Sequence, residues 1–177
     1  HKISLCFVFV LLTAAGNSLC AQCTGLGQNP STGFPVCGTL VFHQDSVPIC
    51  ESNYLYVPGC SVYGDDSTYY RNKNPYWYKF TCFKAGTLSF TIIPNSPNED
   101  YDWQLYDVTG HNPDDVYTDT SIIVAGNWAG TYDSTGASAT GVNYLQCASQ
   151  PTDLLPTFAL SPNIILGHKY LLLVSHF

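Results

Sequence analysis

The stretch Lys169-Tyr170-Leu171-Leu172-Leu173-Val174-Ser175-His176-Phe177 is the strongest strand signal in the chain. It is an apolar, β-prone run that follows the turn residue Gly167. A run of this kind predicts a β-strand, and a strand needs a hydrogen-bonded neighbour. We expect a hairpin partner to follow Phe177, so that the sequence is a fragment of a longer polypeptide. The absence of Met from its 177 residues fits that expectation.

Strand signals also recur upstream, separated by turn residues. Along Thr87–Pro94, the side chains of Leu88, Phe90 and Ile92 fall on one face, as in a half-buried strand. Tyr101–Asp107 alternates in the same way. The other predicted strands are Gly38–His43, Tyr54–Val57, Tyr76–Phe83, Ser121–Ala125 and an edge strand near Trp128. No segment predicts a long amphipathic helix. The pattern predicts an all-β, antiparallel β-sandwich of jelly-roll type, supported by disulfides and lacking its last strand or strands.

The N-terminus has the organisation of a secretory signal peptide. Lys2 precedes an apolar run of about 11–13 residues, which is short of the ~20 needed to span a bilayer. We expect residues 1–21 to be removed after Ala21, leaving a secreted or cell-surface protein with no membrane span. A buried helix or strand, or a lipid anchor on Cys20 or Cys23, is the alternative explanation.

The mature chain divides by composition into two parts. Residues 22–74 form an arm rich in Cys, Pro and Gly that we expect to pack on the sandwich, and residues 75–177 form the sandwich core, truncated at its C-terminus. Export to an oxidising space predicts disulfides. Six cysteines remain after cleavage: Cys23, Cys37, Cys50, Cys60, Cys82 and Cys147. We expect local closure, with pairs Cys23–Cys37 and Cys50–Cys60, and Cys82–Cys147 across the core.

Composition excludes several partner classes. Lys and Arg total 6 against 13 Asp and Glu, and the formal net charge is −7. This balance argues against nucleic acid as a partner. Aromatic residues make up 14% of the chain, which suits recognition through aromatic rings and hydrogen bonds, so we expect an extracellular glycan or protein surface as the partner.

Two groups of residues are candidate sites. Glu99, Asp100 and Asp102 supply the hard oxygen ligands that Ca²⁺ prefers, although no EF-hand spacing is present. A solvated acidic loop, with Asp102 bonded to turn amides, explains them equally simply. Tyr69, Tyr70 and Trp77 are candidates for a sugar-stacking platform, while aromatic residues of sandwiches more often fill the core.

Catalytic patterns are missing from the sequence. It contains no HExxH motif, no phosphate-binding loop and no paired carboxylates, and Gly136–Gly141 departs from the spacing of a nucleophile elbow. We therefore expect a protein that is not an enzyme and has no cofactor other than the candidate Ca²⁺.

One set of motifs resembles a known family. They are Asn74–Cys82, Gly86–Phe90, Asp100–Gly110 and Gly167–Ser175. Together they resemble the N-terminal β-sandwich domain of large surface proteins of gliding-type bacteria, which carry PKD-like or immunoglobulin-like repeats and a type B sorting domain for type IX secretion. A more distant likeness is to pre-peptidase C-terminal and CUB-like jelly rolls. The resemblance implies a non-catalytic binding or adhesion module at the N-terminus of a larger gliding-motility-associated protein. The alternatives are an accessory domain of a secreted hydrolase and a structural surface spacer.

Overall fold

The computed structural model describes residues 23–36, 41–47, 49–60 and 69–177, with main chain alone at 51–53 and 69. The predicted signal peptide 1–21, Cys37 and the first part of the predicted strand Gly38–His43 lie outside the described residues. The strands are β1 (Phe34–Pro35), β2 (Glu51–Tyr56), β3 (Tyr69–Lys73), β4 (Tyr76–Thr81), β5 (Gly86–Thr87), β6 (Phe90–Ile92), β7 (Tyr101–Asp107), β8 (Ile123–Asn127), β9 (Thr135–Ser138), β10 (Phe158–Leu160), β11 (Asn163–Ile164) and β12 (Lys169–His176). Short 3₁₀ turns cover Pro30–Thr32, Pro113–Tyr117, Thr120–Ile122 and Pro151–Asp153.

Strand β12 lies in the middle of a five-stranded sheet ordered β1-β4-β12-β7-β8. It is antiparallel to β4 and to β7, and Leu172 is opposite Tyr78 on one side and Leu105 on the other. A hydrogen-bonded neighbour was expected to follow Phe177. Strand β12 instead has a neighbour on each edge, and both of them, β4 and β7, precede it in the sequence. Among the strands named above, β1 pairs with β4, and β9 with β10, in parallel orientation.

Both faces of this central sheet are covered. One apolar cluster joins it to the three-stranded sheet β10-β9-β6, through residues such as Trp103 and Ala137. A second cluster joins the opposite face to the β2–β3 pair, through residues such as Leu55 and Leu173. The all-β sandwich is therefore confirmed, with the central sheet as the middle of three layers.

Strand β7 is buried on both faces, whereas its alternation predicted only one. Gln104 is 0% exposed and Asp102 is 3% exposed, because the β2–β3 layer lies over them. Gln104 tolerates burial because both ends of its amide are paired: Nε2 donates to the Tyr56 carbonyl (3.2 Å), and Trp128 Nε1 donates to Oε1 (2.8 Å).

The predicted cysteine pairings are wrong. Among the cysteines that the structure describes, the disulfides are Cys23–Cys50 and Cys60–Cys147, which join residues 27 and 87 apart in sequence. Cys82 is a buried free thiol next to the Lys84 carbonyl. Local closure fails because layer packing, rather than sequence proximity, brings the cysteines together: Cys60 follows the β2 layer, and Cys147 follows the bridge of Gln146 to the end of β8. Disulfides fit an oxidising compartment.

Removing the longer disulfide should destabilise the protein strongly. We expect Cys60→Ala/Cys147→Ala to lower the free energy of unfolding by roughly 2–4 kcal/mol, because the bridge restricts the unfolded chain and ties two layers together. Urea denaturation measures this change. Cys82→Ala, which removes a thiol outside both bridges, is the control and should cost clearly less. Equal losses in the two variants would contradict the assignment.

Candidate functional site

A cavity of about 580 Å³ lies between the central sheet and β6. This volume falls in the usual range for small-ligand sites, ~300–1,000 Å³. We call it the aromatic cleft. Its aromatic lining residues are Phe42, Tyr76, Tyr78, Phe80, Phe83, Phe90 and Tyr101.

Strand β4 supplies the floor of the cleft because successive side chains of a strand alternate between faces. Tyr76, Tyr78 and Phe80 point into the cleft, while Trp77 points into the opposite core. The rings of Tyr76 and Tyr78 are 5.1 Å apart, and the ring of Phe42 meets that of Tyr78 edge-on at 5.4 Å. The result is a continuous aromatic floor.

The rim of the cleft leaves apolar side chains in solvent. Phe83 is 81% exposed, Ile93 is 75% exposed and Phe42 is 42% exposed. All three line the cleft. Single exposed apolar residues need no explanation, but a group at the mouth of one cavity marks a binding surface.

The polar groups of the cleft are uncharged hydroxyls and amides with one imidazole, and no Lys, Arg, Asp or Glu lines it among the described residues. They belong to His43, Gln44, Thr81, Ser89, Thr91 and Asn95, besides the tyrosines. The Tyr78 hydroxyl donates to Gln44 Oε1 at 2.9 Å. Burial, with smaller effects of Tyr76 and Tyr101, raises the pKa of Tyr78, so this hydroxyl stays protonated.

The predicted aromatic platform is not at this cleft. Trp77 is 0% exposed and Tyr70 is 5% exposed, and both belong to the core beneath the β2–β3 layer. The side chain of Tyr69 lies outside the described part of the chain. The sequence did contain a signal for the residues that line the cleft. Alternation along β4 puts Tyr76 and Tyr78 on the face opposite Trp77.

The acidic candidate residues Glu99, Asp100 and Asp102 do not share one environment. Glu99 Oε2 accepts a 3.4 Å hydrogen bond from the hydroxyl of Tyr101, which lines the cleft. Asp102 faces the other side of β7. Burial raises the pKa of Asp100 to about 6, and burial together with the nearby charge of Asp100 raises the pKa of Asp102 well above its ordinary value. Within the described ranges, no three His, Cys, Asp or Glu side chains are placed to share a metal ion.

A further acid–base pair joins the end of β7 to the start of β12. Asp107 Oδ2 lies 2.6 Å from His168 Nδ1, and Asp107 Oδ1 accepts from the Thr109 hydroxyl at 2.6 Å. Burial alone would raise the pKa of Asp107, but the hydrogen bonds from His168 and Thr109 outweigh it and lower the pKa. The pair fixes the register at one end of the central strand.

No protein-family model, no curated protein and no solved structure matches the chain. In the described ranges, no helix has the length and apolar character needed to cross a bilayer.

The lowered pKa of Asp107 predicts a stability effect that depends on pH. A carboxylate with a depressed pKa stabilises the fold above its unfolded value of about 3.9, and this contribution disappears as the pH falls through the folded pKa. We expect Asp107→Asn to be less stable than wild type by about 1 kcal/mol at neutral pH, since a partly exposed charge-assisted hydrogen bond is lost. The difference should shrink as the pH falls below the unfolded pKa and through the lowered folded pKa.

Chemical denaturation across this pH range provides the measurement. Asp114→Asn is the matched control, because Asp114 is exposed. A stability difference for Asp107→Asn that stays constant with pH would contradict the ionic role of this carboxyl.

Proposed function

We propose that the protein is a non-catalytic, extracellular binding module whose aromatic cleft takes a neutral saccharide. The observation that supports this most directly is the composition of the cleft: aromatic rings on its floor, hydroxyls and amides among them, and no Lys, Arg, Asp or Glu among the described lining.

The chemistry of a sugar suits this lining. A pyranose has apolar C–H faces that pack on rings such as Tyr76 and Tyr78, and hydroxyls that bond to polar groups such as Gln44 and Asn95. Tyrosine offers both contacts from one side chain. A charged ligand would enter the cleft without a Lys, Arg, Asp or Glu of the described lining to pair with, at a high desolvation cost.

The same lining supports binding rather than glycoside hydrolysis. Glycosidases place two carboxylates about 5–10 Å apart across the scissile bond. Among the described residues that line the cleft, there is no carboxylate. Three acidic side chains lie close to lining residues in sequence or space. Glu99 accepts from Tyr101, Asp45 Oδ1 lies 2.9 Å from Nε2 of His43, and Asp102 is turned to the opposite face of β7.

The setting that we propose is a secreted or cell-surface adhesion protein. The two disulfides and the net charge of −7 suit an extracellular environment and disfavour anionic partners. The resemblance to surface proteins of gliding bacteria points the same way. As an accessory domain of a secreted hydrolase the protein would bind that enzyme's substrate, and as a spacer it would bind nothing.

Removing a ring from the floor of the cleft should weaken saccharide binding strongly. Tyr78 lines the cleft and its ring contacts those of Tyr76 and Phe42, so Tyr78→Ser removes a surface on which a sugar can stack. On a neutral-glycan array, we expect wild type to bind a defined set of glycans and Tyr78→Ser to lose at least about tenfold in affinity, ~1.4 kcal/mol.

Tyr144→Ser is the matched control, because Tyr144 is 56% exposed and lies outside the cleft lining. It should bind as wild type does. Failure of wild type to bind any neutral glycan, binding of an isolated protein partner in its place, or undiminished binding by Tyr78→Ser would each contradict the proposal.

A further inference from the structure

A second site lies on the other side of the central sheet from the cleft. Asp102, within β7, is 3% exposed and shares its strand face with the paired Gln104. Its Oδ1 has no hydrogen-bond partner, and the same is true of Asp100 Oδ1 and Thr131 Oγ1. All three oxygens are inaccessible to solvent. The unpartnered oxygens of Asp100 and Asp102 therefore belong to one strand and its start, and that of Thr131 belongs to the segment that follows β8.

Gly130 brings these two segments together. A Cβ atom at Gly130 would lie 3.6 Å from Asp100 Oδ2 and 2.2 Å from the Ser149 carbonyl oxygen. No side chain fits there, so the main chain of Gly130 passes directly beside the Asp100 carboxyl, and Thr131 is the next residue. The Gly130 amide donates to Ser149 Oγ at 3.1 Å, which holds the chain in place.

Among the described residues, no basic side chain forms an ion pair with Asp100 or Asp102. Lys73, on strand β3 of the covering layer, directs its ammonium group to the ring of Phe177, 5.3 Å from the ring centre. Asp100 and Asp102 are two residues apart, so both carboxyls leave the main chain on the same face. Buried carboxyls without a basic partner need a counter-charge.

We propose that Asp100, Asp102 and Thr131 hold a Ca²⁺ ion. The unpartnered oxygens of these three side chains are hard ligands from separate segments, and Ca²⁺ accepts such irregular oxygen sets, whereas Mg²⁺ requires near-octahedral geometry. Glu99, which the sequence analysis included, is not part of the site, because its carboxyl turns toward Tyr101. Tyr101 itself lies between the two Asp ligands and lines the aromatic cleft, so the ion would fix the main chain on both sides of a cleft residue.

The test is the thermal stability of the full chain after removal of metal ions with a chelator. CaCl₂ at about a hundredfold excess over its dissociation constant should raise the melting temperature of wild type by about 5–10 °C. Asp102→Asn should show no such increase. Without Ca²⁺ its melting temperature should equal or exceed that of wild type, because a neutral amide replaces a buried carboxyl. Asp114→Asn, an exposed carboxyl elsewhere, should respond as wild type does.

A second measurement detects ion binding directly and does not depend on a melting temperature. Tb³⁺ bound at the site of wild type should give tryptophan-sensitised luminescence that Ca²⁺ displaces, and Asp100→Asn should lose this signal. The proposal is overturned if Ca²⁺ leaves the melting temperature of wild type unchanged, or if Asp102→Asn responds to Ca²⁺ as fully as wild type does. An unresponsive wild type together with a more stable Asp102→Asn would identify the pair as carboxyls that share a proton.

Discussion

The central position of β12 is the constraint on which the rest of the structure depends. Its main chain is hydrogen-bonded along both edges, to β4 and to β7. Its side chains enter both cores, since Leu171 and Leu173 belong to the cluster beneath the β2–β3 layer, while Tyr170 and Leu172 pack in the cluster shared with β6 and β9. A strand buried on both faces reads as a continuous apolar run, and this explains why residues 169–177 give the clearest signal in the sequence.

This arrangement also separates the two candidate sites. Strands β4 and β7, which flank β12, alternate across the same sheet, so each sends side chains to both sides. On one side, Tyr76 and Tyr78 form the floor of the aromatic cleft. On the other side, Asp102 is enclosed under the β2–β3 layer, where an unpaired carboxyl is costly. The proposed ligand of the cleft and the proposed ion at Asp100 and Asp102 would therefore lie on opposite faces of one sheet.

Much of the fold was predictable from local pattern. Tyr101–Asp107 was predicted with the bounds it has, and the runs at Tyr76 and Lys169 were predicted within a few residues. Strands β9 and β10 were missed, because Thr135–Ser138 has the small polar composition of a loop and forms a strand only through its neighbours. The cysteine pairs and the burial of Asp102 were missed for the same physical reason. Both depend on a third layer that packs on the central sheet. Alternation within one strand does not indicate whether one or both faces of its sheet are covered.

Hydrogen exchange of the full chain tests the central place of β12 most directly. Amides that open only on global unfolding exchange slowest, and those of edge strands exchange through local fraying. The amides of Leu171 to Ser175 should be among the slowest in the protein and slower than those of β8, which lies at the edge of the five-stranded sheet. Exchange of these amides as fast as that of β8 would contradict a central strand paired on both edges, and with it the separation of the cleft from the buried acidic pair.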